Sequence, residues 1–218
     1  MVWAAFSSRG LNMVSPEIIK PDVTTSGVNI IAIFSSAVSP IREPFDNRTV
    51  PYITMSGTSM SCPHVSSIVG LLKALHLEWS PAAIMTSTRI RDNTMNLMLD
   101  GSSPVFAPAT PFICGSGHIC PIGAINPGFV YNLSPNDYLK FFCASGYKEK
   151  SIQVFADGNF KCLISSSILN FNYLSIGVQN LTVSVTVTRR LKNVGRPGVY
   201  RLSFQAGFNI LLASEHRQ

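Results

Sequence analysis

The chain has 218 residues, 46% hydrophobic and 13% charged, with a formal charge of +6 and a pI near 9.2. That apolar content supports a sizeable core and one or two globular domains, and it excludes a disordered chain. No apolar run approaches the roughly 18–20 residues of a membrane span, and the scattered Lys and Arg lack the clustered patch of a nucleic-acid binder.

The start, "MVWAAFSSRG", lacks the basic end, apolar middle and small-residue cleavage site of a signal peptide, so no export address is read from it. "KPDVTTSG" reads as a Pro/Gly loop. The apolar run "VNIIAIF" behind it suits a short strand covered on both faces, as in the parallel sheet of an α/β domain. A polar loop follows from Ser35 to Arg48, then "VPYITM" as a second strand, then Gly57. From Ser59 to Glu78, Val65, Ile68, Val69, Leu72 and Leu75 fall at helical spacing, which predicts a buried helix starting near the serine. In "WSPAAI", Ser80 is an N-cap with Pro81 at the first helical position. The following "MTSTRIRDNT" offers no apolar face, so this second helix is expected to fail quickly.

Residues 100–135 are dense in Gly and Pro and predict an ordered loop system. "SPNDYLKFFCASGY" predicts a short helix with Ser134 as N-cap, Pro135 in the first turn and Gly146 beyond the end. From about Asn172 the pattern alternates at period two around a turn at "VGRPG", which predicts an antiparallel hairpin. Within it "RRLK", Arg189 to Lys192, is the densest basic cluster and reads as a solvated strand edge.

A serine where a strand gives way to a helix stands at the ligand-binding end of an α/β sheet, beside backbone N–H donors that suit a developing oxyanion. Ser59 has that placement, and an ordinary helix-start serine is the competing reading. Gly57 permits close backbone approach of a substrate, and with Thr58 it forms the candidate substrate-binding pair. His64 lies five residues on, about 140° around the helix axis and about 7.5 Å along it, too far to serve Ser59 as a base. It reads as a structural histidine. His118 in "GSGH" reads the same way, and His76 as solvent-facing. The five cysteines show no CxxC and no zinc spacing, so no metal and no other cofactor is expected. Sequons occur at Asn47, Asn132 and Asn180. They matter only in a secretory compartment, and Pro135 makes the one at Asn132 the poorer acceptor.

"SGTSMSCPHV" closely resembles the serine signature of the subtilisin-like proteases, and the chain is similar to plant subtilases in particular. "FSSRG", "PEIIKPDVTTSGVNIIA", "GSGHICPIGAINPGFVYNL", "DYLKFFCASGY" and "VTRRLKNVGRPGVY" resemble further segments of that family in the same order, from about Phe6 to Tyr200. The resemblance implies an α/β fold: residues 1–160 form the C-terminal part of a subtilisin-like domain with parallel sheet and helices. Residues 161–218 form a truncated fibronectin-III-like β domain.

It also implies a secreted, extracellular endopeptidase acting on peptide or protein substrates. Ser59 is then the nucleophile, with its N–H in the oxyanion hole, and Cys143 and Cys162 are a disulfide pair. The family's catalytic Asp and His and its oxyanion Asn lie upstream of the serine, and no histidine precedes Ser59 here. The chain alone is therefore expected to be inactive and prone to aggregate. The alternative is a non-catalytic truncated paralogue or remnant acting at most as an interaction module. Departures from the family pattern favour it: Leu11 and Ser26 replace prolines, Ser67 replaces a glycine, and about one turn is absent after "WSPAAI". An unrelated α/β serine esterase ranks last, because "GTSMS" is not a G-x-S-x-G elbow.

Overall fold

The computed structural model describes residues 1–88, 98–162, 167–179 and 181–200. Its elements in chain order are β1 (Val2–Trp3), β2 (Ile30–Ile33), β3 (Tyr52–Met55), α1 (Thr58–Leu75), α2 (Pro81–Thr88), β4 (Leu99–Asp100) and α3 (Pro111–Cys114). There follow α4 (Pro121–Ile125), β5 (Phe129–Val130), α5 (Pro135–Ala144), α6 (Glu149–Ile152) and β6 (Lys192–Asn193). Mixed helices and small sheets agree with an α/β fold. The extensive parallel sheet is not found among the described residues. Parallel pairing is limited to β1 with β4 and a bridge from Thr24 to His118.

The run "VNIIAIF" does form a strand, but β2 pairs antiparallel with β3, Ile30 opposite Met55 and Ile33 opposite Tyr52. It is not covered on both faces: Ile31 is 72% and Ile33 85% exposed. A continuous apolar run reports a preference for burial without naming its partner.

The core lies where α1, α2, α4 and β5 meet. Leu72, Trp79, Ala83, Ile84, Ala124 and Val130 are its buried residues, with Ile68, Val69 and Val194 packed against them. The predicted buried α1 is corrected accordingly. Only Leu72 is buried, while Leu75 is exposed, because a single stripe of the helix meets neighbours. His76 is corrected too: it stacks on Trp79 at 3.8 Å, and its Nε2 lies 3.1 Å from the Ile125 carbonyl.

The second helix forms from Pro81 to Thr88 and is the best-buried of the described elements; residues 89–94 of the stretch expected to end it lie outside the described residues. Ser80 caps it, its Oγ accepting from the Ala83 N–H at 3.2 Å. The Thr86, Ser87 and Thr88 hydroxyls donate to the carbonyls of Ala82, Ile84 and Met85, so polar side chains enter the core already satisfied. The predicted α5 is found, with both the N–H and the hydroxyl of Ser134 donating to Asp137 and Gly146 at φ +85 past its end.

Cys143 at the end of α5 is bonded to Cys162. Closing that loop of sequence separation 19 restrains the unfolded chain by about 3 kcal/mol in the chain-entropy description. The double Cys143→Ser, Cys162→Ser variant is therefore expected to lose stability of that order in urea unfolding.

The hairpin around "VGRPG" is not present among the described residues. Residues 181–191 form no strand, and β6 pairs antiparallel with β5, Lys192 opposite Val130. Without a sheet to pack on, Val183 is 71% exposed. Residues 201–218 lie outside the described residues, as does Asn180.

The β1–β4 corner is held by charge. Asp100 accepts from Ser102 N and Oγ at 2.9 and 2.7 Å and from Arg9 at 2.9 Å, while Arg9 covers the Trp3 ring. The Ser102 hydroxyl first, and then Arg9, keep the Asp100 carboxyl below its usual range. Such a group stabilises the fold above the ordinary carboxylate pKa of about 4, and the contribution is lost as the pH falls through the lowered folded value. Acid titration of Trp3 fluorescence, with Trp79→Phe as background, is expected to show a step below pH about 4. Asp100→Asn should lack that step.

Candidate active site around Ser59

The chain turns from β3 through Ser56 and Gly57 into α1, so Ser59 stands in the helix's first turn, exposed with Thr58. No side chain caps this turn and no acidic residue occupies it, which leaves the positive end of the helix dipole open around Ser59. Pro63 lies inside α1 and has no N–H to offer the Ser59 carbonyl four residues back. An anion developing at this turn would meet unspent backbone donors.

Gly57 is extended and half-buried, and a side chain there would meet open space apart from its own helix start. The turn is held from behind by residues 25–29. Gly57 N–H donates to the Gly27 carbonyl at 2.8 Å, Ser61 Oγ to the Thr25 carbonyl at 3.4 Å, and Asn29 N–H to Ser56 Oγ at 2.9 Å. Gly27 is required by this approach, since a Cβ there would lie 2.2 Å from Ser61 Oγ and 2.9 Å from the Gly57 carbonyl. Ser26 and Ser67, two of the positions read as departures from the family pattern, are both exposed.

Among the described residues no side chain hydrogen-bonds the Ser59 hydroxyl. Each described histidine gives a ring N–H to a backbone carbonyl: His64 Nδ1 to Met60 at 2.8 Å, His118 Nδ1 to Ile119 at 3.0 Å, and His76 Nε2 to Ile125. His64 is thus tied to its own helix. His216 lies outside the described residues.

Of the other site candidates, Asn47 is exposed in the irregular 34–51 loop, beside the Asp46–Arg48 ion pair that draws the Asp46 carboxyl down to about 2. Asn132 is exposed, but its Oδ1 accepts from Ser80 and its carbonyl from Asn172. Cys62 is exposed and Cys114 buried. Cys120 serves as the N-cap of α4, accepting from Gly123 N–H at 3.4 Å, a role the sequence reading missed because cysteine is not a usual cap. Sequence reasoning also missed Asp22, Tyr173 and Arg189, which meet only through the fold.

The subtilase family profile, peptidase S8, matches residues 2–117. Over 220 residues the chain is 50% identical to subtilisin-like protease SBT5.4 of Arabidopsis thaliana, covering 99% of this chain and 28% of that protein. It is 49% identical to SBT5.3 of the same plant over 205 residues, covering 91% and 26%. Subtilisin-like protease Glyma18g48580 of Glycine max shares 45% over 218 residues, covering 96% and 27%. The chain spans about a quarter of the length of these curated relatives. With more than half its length matched by one family and half its residues shared with a plant member, this chain belongs to the subtilase family.

Proposed function

We propose that the chain carries the nucleophile of a serine endopeptidase and that Ser59 is that nucleophile. The observation that supports this most directly is an exposed serine on an uncapped helix start, inside a segment that matches proteases at half identity. Ser59 Oγ attacks a peptide carbonyl carbon, its proton passes to a base, and the C–O bond forms as the tetrahedral oxyanion settles against N–H groups of the first turn. Collapse breaks the C–N bond, the amine leaves with the proton, and water hydrolyses the acyl-enzyme. Gly57 and Thr58 line the approach of the peptide.

The histidine and aspartate of such a triad, and the oxyanion Asn, come from outside these 218 residues, so the chain alone is inactive. Residues 1–160 then belong to the catalytic domain, and 161–218 begin a fibronectin-III-like domain. The Cys143–Cys162 bond and the exposed sequon at Asn47 support an extracellular protein. No metal or cofactor is needed for this chemistry.

A fluorophosphonate probe tests the reading in a protease of the relatives' full length that carries these residues. Labelling at Ser59, lost in Ser59→Ala, is expected. An unlabelled Ser59 in a folded full-length protein would leave the non-catalytic paralogue as the better reading.

A further inference from the structure

The segment 167–193 lies far along the chain from Ser59, yet hydrogen bonds tie it to residues 19–22, and the loop that follows them is bonded to the turn carrying Ser59. Tyr173, buried, donates its hydroxyl to Asp22 and accepts from Lys20 Nζ at 2.6 Å, and Lys20 also pairs with Asp22 at 2.6 Å. Arg189 fixes the backbone that carries Tyr173. Its guanidinium donates to the carbonyls of Tyr173 at 2.8 Å, Leu169 at 2.6 Å and Ser175 at 3.2 Å. Ser175 Oγ in turn accepts from Ile19 N–H at 3.1 Å, so the strap grips Asp22 and the residues just before it.

From Asp22 the line continues forward. The Asp22 carbonyl accepts from Ser116 at 3.0 Å, and Thr24 exchanges bonds with Gly117 and Ile119 at 2.9 Å each. One and three residues on, Thr25 and Gly27 hold Ser61 and Gly57, which flank the nucleophile. The charge-linked, part-buried bonds at the strap end are the strong members of such a line.

We propose that Tyr173 is a positioning residue for Ser59: the 169–175 strap, anchored by Arg189, pins Asp22, so the 22–27 loop holds the first turn of α1 in place. Its catalytic half rests on the reading of Ser59 as nucleophile, and its structural half does not. The strap lies in the part of the chain assigned to the second domain, so that domain completes the site it follows.

Hydrogen exchange on the 218-residue chain separates the two halves. Tyr173→Phe keeps the ring and removes the hydroxyl. The amides of Thr24, Ile119 and Gly57 are expected to exchange at least about tenfold faster, while those inside α5 and α2 stay within about twofold. Arg189→Lys, which keeps charge but cannot span three carbonyls, should do the same to a smaller degree.

In the full-length protease, Tyr173→Phe is expected to lower kcat about tenfold with KM within about twofold, the signature of a displaced nucleophile with an intact substrate surface. Unchanged exchange at Thr24 and Gly57, or acceleration spread equally over α2 and α5, overturns the strap. A local exchange response with kcat unchanged overturns its positioning role. If Ser59→Ala proves to leave activity intact, the nucleophile assignment fails, and the exchange result still decides the strap.

Discussion

In a protease of the relatives' full length, Ser59→Ala is expected to lower kcat on the order of 10^6-fold, the size of loss that subtilisin itself shows without its serine. KM should stay nearly constant, because the hydroxyl acts in the transition state and the peptide is held by other contacts. The same substitution in the 218-residue chain should change nothing measurable. There, among the described residues, no side chain hydrogen-bonds the Ser59 hydroxyl, and His64, tied by Nδ1 to the Met60 carbonyl, lies about 140° around the helix from it. General-base help is worth about 10^2–10^4-fold, and an unassisted serine hydroxyl is a weak nucleophile. A fluorogenic peptide assay on four samples, long and short chain with and without the hydroxyl, checks both statements. Turnover by the short chain that disappears with Ser59→Ala would show that a base within these residues reaches the serine.

The sequence made some elements legible because their signals are local. Ser134, Pro135 and Gly146 delimit α5 through capping and backbone preference, and Ser80 with Pro81 starts α2 for the same reason. The strand-to-helix turn at Gly57–Ser59 was legible from apolar spacing alone, and the geometry that separates His64 from Ser59 follows from helix pitch.

Partners distant in sequence were not legible. Nothing in "VNIIAIF" says that β2 meets β3 antiparallel across the 34–51 loop. Nor does "MTST" announce burial. Its hydroxyls become compatible with a core only after bonding back to carbonyls one turn away. Alternation in 181–191 suggested a hairpin, but period two describes what a sheet would bury and cannot supply the sheet. The Tyr173–Asp22 contact spans 151 residues and left no mark in either segment.

Leu72→Ala is expected to cost about 4 kcal/mol of folding stability, in the upper half of the range for a buried leucine. Leu72 is 1% exposed and sits between α1 and the best-buried helix, against Trp79, Ala83, Ile84, Ala124 and Val130. Two of those neighbours are alanines, whose methyls cannot swing into the space left behind, so most of the cavity stays open. Its sequence neighbour supplies the control. Leu71 is 65% exposed, and Leu71→Ala should stay within about 0.5 kcal/mol of the parent, as surface substitutions do. Urea unfolding of the two variants side by side measures the difference. A small folded domain has only about 5–15 kcal/mol in reserve, so Leu72→Ala removes a large share of it. Equal effects at 71 and 72 would mean that α1 presents a different face to α2, and the first turn that carries Ser59 would turn with it.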